Sequence, residues 1–187
     1  MNLPKGLKVM NYILSLMPTQ FETLFLDLEA IDDVKEIVSY PSIRNVRTVG
    51  IHGEKVESTK VSIFFDNLIE ILECVHIHPA IEGTVDHIYN IFNAENVYLK
   101  NGSWANEKHY RSFCGKYILI ENATMTTTTV INYVKEWISG NCENSRNLTS
   151  ATVYSSIEFD IDRMVKELDA KPWDPKRRDK YFVLEGL

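Results

Sequence analysis

The feature that most constrains this chain is a recurring step between short apolar runs. Leu26, Ile51, Ile77, Leu99 and Ile120 sit at equivalent places in runs that read as strands, at steps of 25, 26, 22 and 21 residues, and a step of 33 leads on to Val153. The runs are short, rich in β-branched and aromatic residues, and end at turn formers such as Gly53, Pro79 and Gly102. They cover residues 24–28, 46–51, 74–78, 97–100, 117–120 and 151–154, and 181–184 reads as a last strand.

Helical stripes lie between them. Ser58 reads as the cap of a run with Val61, Phe64, Phe65, Leu68 and Leu72, and Thr84 as the cap of Val85, Ile88 and Phe92. Residues 126–129 lead into Val130, Ile131, Val134, Trp137 and Ile138, closed by Gly140. Asp160 caps Ile161, Met164, Val165 and Leu168, and residues 32–40 form a shorter helix stopped by Pro41. A strand and a helix per twenty-odd residues predict an α/β chain, namely a degenerate leucine-rich-repeat-like solenoid. Short parallel strands would line a concave face, with helices outside. Leu is often replaced by Val, Ile or Ala, and no asparagine ladder is evident. A doubly wound sheet would also alternate βα, yet no Gly-rich phosphate loop follows any strand. Residues 1–187 read as a single repeat-like domain, with 1–20 as an amphipathic N-terminal capping helix.

Composition narrows the function classes. Apolar residues make up 44% and charged residues 25%, which excludes a disordered or collagen-like chain. A net charge of −6 argues against a nucleic-acid partner, and no apolar stretch is long enough to make a membrane partner. Three cysteines, Cys74, Cys114 and Cys142, without CxxC spacing fit reduced thiols in the cytosol or nucleus. Sequons at Asn101, Asn122 and Asn147 carry little weight without a signal peptide.

Alternation places candidate chemistry on one face. With Leu24, Val49, Val75, Val97 and Ile118 inward, the concave side receives Phe25, Asp27, Gly50, His52, His76, His78, Tyr98, Lys100, Leu119 and Glu121. Aromatic and charged anchors dominate protein interfaces, so Phe25, His52, His76, His78, Tyr98, Lys100 and Glu121 are the expected protein-binding residues. Cys74, His76 and His78 share one side of one strand, which makes a small metal-binding protein or enzyme the alternative. The plainer reading is a polar ligand-reading surface, with no cofactor and no metal. No GxSxG elbow or other catalytic motif is present, and the acidic residues Asp32, Asp33, Asp160 and Asp162 sit where helix starts favour them. The basic, Pro-broken segment 171–180 reads as a solvated connector rather than a localisation signal.

The block at 116–141 carries a resemblance. A strand ending near Ile120 is followed by a Thr-led turn at Thr126, and then by a helix with Asn132, Lys135, Trp137, Ile138 and Gly140. This pattern, with its continuation through 156, resembles the type 2 F-box-associated domain of nematode F-box proteins. The resemblance implies a non-enzymatic substrate-recognition part of a cullin-RING ubiquitin-ligase adaptor. Its partner would be a protein ligand, the substrate of the ligase. In that family an N-terminal F-box of roughly forty residues, opening with Leu-Pro, grips a Skp-like subunit and through it a cullin. Leu3-Pro4 fits that opening, but strand-like sequence starts at Leu24 and leaves too little room. A stand-alone fragment that binds a ligand without recruiting a ligase is the remaining alternative.

Overall fold

A computed structural model describes residues 22–68, 71–85, 89–139 and 147–171, together with Tyr12 and Lys176. The expected capping helix at 1–20 (Tyr12 apart), Ile88, Gly140, Cys142 and the strand expected at 181–184 lie outside the described residues.

Six strands form one parallel sheet: β1 (Thr23–Asp27), β2 (Thr48–His52), β4 (Cys74–Ile77), β6 (Asn96–Leu99), β7 (Tyr117–Ala123) and β8 (Ser150–Ser155). Their order in the sheet is their order in the chain, with no reversal. A doubly wound sheet reverses at a switch point, and this one does not. A second, two-stranded parallel sheet pairs β3 (Lys55–Glu57) with β5 (Ala80–Glu82). Sequence alternation did not reveal it, because three residues are too few to show a period.

Register explains the core. Leu24, Val49, Val75, Val97, Ile118 and Ala151 lie side by side in one inward row. Leu26, Ile51, Ile77, Leu99, Ile120 and Val153 form the second. Val49, Ile51, Val75, Ile77 and Leu99 are fully buried. Each such side chain contributes roughly 1.5–3 kcal/mol when removed from water.

The helices supply the opposing layer. They are α1 (Val34–Val38), α2 (Pro41–Arg44), α3 (Ser58–Asp66), α4 (Tyr89–Phe92), α5 (Glu107–Ser112), α6 (Thr127–Ser139) and α7 (Ile161–Glu167). Val34, Ile43, Phe64, Ile91 and Tyr110, from the first five, join the same core cluster as the inward strand rows. Helices also touch in chain order, α1 with α3, α3 with α4, and so on to α7.

Asp160 caps α7 as expected, its Oδ1 accepting from Arg163 N–H, and Thr126 Oγ1 accepts from Thr129 N–H at the start of α6. Asp33, expected only as an acidic residue at a helix start, is the cap of α1, its Oδ1 accepting from the N–H groups of Lys35 and Glu36. Other expectations are corrected. Ser58 is the first helical residue, and Glu57 precedes it with no side-chain cap. Pro41 does not merely stop α1 but opens α2, where its fixed φ suits the first helical position. Leu68 and Leu72 are buried beyond the end of α3. Residues 86–88, which follow the expected cap Thr84 and buried Val85, lie outside the described residues, and the described part of the helix is Tyr89–Phe92.

The sequence reading also missed an asparagine ladder. Asn101 Nδ2 donates to the His78 carbonyl at 2.5 Å, and Asn122 Nδ2 donates to the Lys100 carbonyl at 3.0 Å. Ser155 Oγ continues the pattern toward the Ala123 carbonyl at 3.1 Å. Each bond satisfies a carbonyl at the exit of the preceding strand. Asn122 takes φ 54° at a register shift in β7, a left-handed conformation that asparagine tolerates better than most residues.

Candidate functional site

The face of the sheet away from the helices carries the expected side chains. Pairing sets Phe25, Gly50, His76, Tyr98, Leu119 and Thr152 in one row across all six strands. Asp27 and His52 are paired in the next row, which His78, Lys100 and Glu121 continue by alternation. His78 and Lys100 each lie just past the end of their strand and donate backbone N–H to the preceding strand, to Ile51 O at 3.0 Å and Ile77 O at 2.9 Å.

Within these rows the rings join into a continuous platform. Phe25 lies 5.3 Å from His52, His52 4.6 Å from His78, and His78 5.7 Å from Tyr98. His76 sits 5.8 Å from Tyr98. Tilted and edge-on contacts at these separations are favourable for aromatic pairs. Glycine makes one end possible. A Cβ on Gly50 would fall 2.0 Å from Cδ1 of Phe25, so the ring rests over the bare backbone.

Gly50→Ala is therefore expected to displace Phe25 from the platform. The ring is 57% exposed and can swing away, so stability should change by less than about 1 kcal/mol. Nuclear Overhauser contacts between Phe25 and His52 should vanish in that variant. Their persistence would contradict this packing.

Polar partners pin the far end. Tyr98 Oη donates to Glu121 Oε1 at 3.2 Å. Burial and the Glu121 carboxylate together raise the Tyr98 phenol above its ordinary range. At the near end Asp27 Oδ1 accepts from Glu29 N–H and Ala30 N–H, turning the chain out of β1. Ion pairs Arg47–Glu73 and Lys116–Glu95 link adjacent units at the strand starts. Both are exposed, so each contributes little to stability.

Beside the platform lies a dent of about 270 Å³, lined by Cys74, His76, Tyr98, Tyr117, Leu119 and Thr152 among others. Tyr117 and Thr152 were missed as site residues. Strand parity was the available signal, since both share a side with Leu119.

His76 and His78 both have lowered pKa. Partial burial disfavours the imidazolium of each, and the nearby His52 adds repulsion. For His78, Lys100 and His76 also lower it, while Glu121 opposes them. The His76 and His78 imidazoles are accordingly neutral at pH 7. The unfolded chain, with ordinary imidazoles, then binds more protons than the native one as pH falls below 6.5. Stability is present above that value and declines as the solution is acidified. The urea midpoint should drop between pH 7.5 and pH 5.5, and less so in the His76→Gln, His78→Gln variant. An equal drop in both proteins would refute this assignment.

The geometry bears on the metal alternative. Cys74 Sγ lies 3.1 Å from His76 Nε2, whereas the His76 and His78 rings stand 6.5 Å apart. Among the described residues no group of three or more His, Cys, Asp or Glu is arranged to hold a metal ion. Burial, with the adjacent Glu73 charge, pushes the Cys74 thiol up, which disfavours the reactive thiolate. Among the described residues no helix is long and apolar enough to cross a membrane.

Compared with known proteins, the chain matches no family model, no curated protein and no solved structure.

Proposed function

We propose that this chain is a non-enzymatic protein-interaction module, built as a leucine-rich-repeat-like βα solenoid, whose open sheet face receives a protein ligand. The observation that carries the reading is the ring platform Phe25–His52–His78–Tyr98–His76, spread over four adjacent strands and facing away from the core. Aromatic anchors of this kind, with Lys100 and Glu121 at the rim, are what protein interfaces use. The repeat reading is supported by the unreversed strand order, the chain-order helix contacts and the asparagine ladder. A strand, a Thr126-led turn and a helix holding Asn132, Lys135 and Trp137 follow one another at β7–α6. That order supports the likeness to an F-box-associated domain, and with it a role in presenting substrates to a ubiquitin ligase in the cytosol or nucleus.

Affinity purification of the tagged chain, followed by mass spectrometry, tests this. A Skp-like subunit and a cullin among the recovered proteins supports the ligase role. One specific protein without them supports a stand-alone recognition module. In either case Tyr98→Ala with Lys100→Ala is expected to cut recovery of the ligand by about tenfold or more, with an unchanged circular-dichroism melt. Undiminished recovery would remove the sheet face from consideration.

A further inference from the structure

The dent beside the ring platform selects by charge. It is lined by Cys74 and His76 of β4, Tyr98 of β6, Tyr117 and Leu119 of β7 and Thr152 of β8. Among the described residues no Asp, Glu, Lys or Arg lines it. Burial lowers the pKa of His76 and raises that of the Cys74 thiol, so both are neutral at pH 7. A ligand charge placed there would lose water and meet no countercharge, which is costly. An uncharged side chain would instead take apolar surface of the half-buried Tyr98 and Leu119 out of water. Size points the same way. Pockets for whole small ligands run from roughly 300 to 1,000 Å³, and this dent, at about 270 Å³, lies below them. It suits one large side chain.

One row further along the strands the charges are unequal. Asp27 Oδ1 accepts from Glu29 N–H and Ala30 N–H, and Glu121 Oε1 accepts from Tyr98 Oη. Lys100 is exposed, and among the described residues its ammonium takes part in none of the ion pairs. Its charge falls on His78, whose imidazolium it disfavours. The unmatched charge of these two rows is thus a cation, and its complement is an anion. Lys100 follows Tyr98 by two residues, roughly 6.5 Å along the strand direction. An extended ligand segment repeats the side chains of one side at that same interval.

We propose that the sheet face takes an extended segment of its protein ligand with an uncharged aromatic or large aliphatic side chain in the dent and, two residues away, a carboxylate on Lys100. The proposal rests on the reading of this face as the ligand surface and specifies the chemistry of what it reads.

Three blocked pentapeptides test it on the full chain: Glu-Ser-Phe-Ser-Glu, Lys-Ser-Phe-Ser-Lys and Glu-Ser-Gly-Ser-Glu, symmetric so that either chain direction is sampled. Binding is read from the methyl resonances of Leu119 and Thr152. The first peptide is expected to shift both and to bind about threefold or more tighter than the second, and about tenfold tighter than the third. Lys100→Ala should abolish the preference for the first peptide over the second. Thr152→Trp, which fills the dent from an exposed position, should weaken the first about tenfold. Equal affinity of the parent for the first two peptides overturns the proposal. So does silence of the Leu119 and Thr152 methyls with every peptide up to millimolar concentration. Affinity purification separates this failure from failure of the underlying reading. If Thr152→Trp recovers partners as the parent does while Tyr98→Ala, Lys100→Ala loses them, the dent assignment falls and the sheet face stands. If neither variant loses them, the reading of the sheet face falls too.

Discussion

Replacing Gly115 with alanine is expected to cost about 3 kcal/mol of stability, a large part of what a domain of this size possesses. A Cβ there would lie 2.2 Å from the Ala94 carbonyl oxygen and 2.5 Å from that of Glu95. Both are main-chain atoms at the entry to β6, and neither can swing aside as Phe25 can at Gly50. The Glu95 carbonyl also accepts the N–H groups of Lys116 and Tyr117, which start the β6–β7 pairing. Relief of the clash therefore pulls apart the first hydrogen bonds between two central strands. The thermal midpoint should fall by about 6–12 °C. A variant melting within about 2 °C of the parent would show that the two backbones do not approach so closely.

Truncating Phe92 to alanine is expected to cost about 3–5 kcal/mol. The ring is fully buried on α4, where it stacks on His109 at 5.5 Å and meets Trp104 edge-on at 6.0 Å. His109 is itself held by two bonds. Its Nδ1 accepts from Asn106 N–H at 3.0 Å, and its Nε2 donates to the Val85 carbonyl at 2.7 Å. Those partners fix the tautomer and close the capping box of α5. Loss of Phe92 thus leaves a cavity against a polar group that cannot retreat without breaking a cap. Chemical denaturation should show a coupling energy above about 0.5 kcal/mol between Phe92→Ala and His109→Ala, because the two share one contact. Strict additivity would mean that the stacked pair does not act as a unit.

The strands and their facing were legible in sequence because a β-strand alternates its side chains by covalent geometry alone. Val49 and Ile51, or Val75 and Ile77, announce an inward side without reference to any other strand. The long helix α6 and the caps at Asp160 and Thr126 were legible for a similar reason, since a cap bonds its own chain a few residues on. α5 was not read at all. Its capping box uses histidine where glutamate or glutamine is the usual signal, and its apolar face is a single turn.

What the sequence by itself determined is therefore the local part: a parallel α/β chain of short strands, its buried rows, and the residues that face away from them. Register was decided only in the tertiary structure. His52 and His78 stand 26 residues apart in the chain, yet their rings lie 4.6 Å apart because Ile51 pairs with Ile77. The ladder of Asn101 and Asn122 depends on the same pairing, since each amide must find a carbonyl on the preceding strand. Side-chain direction belongs to one residue and its neighbours. A platform or a ladder belongs to several strands at once, and only their packing against a common core sets which residues meet.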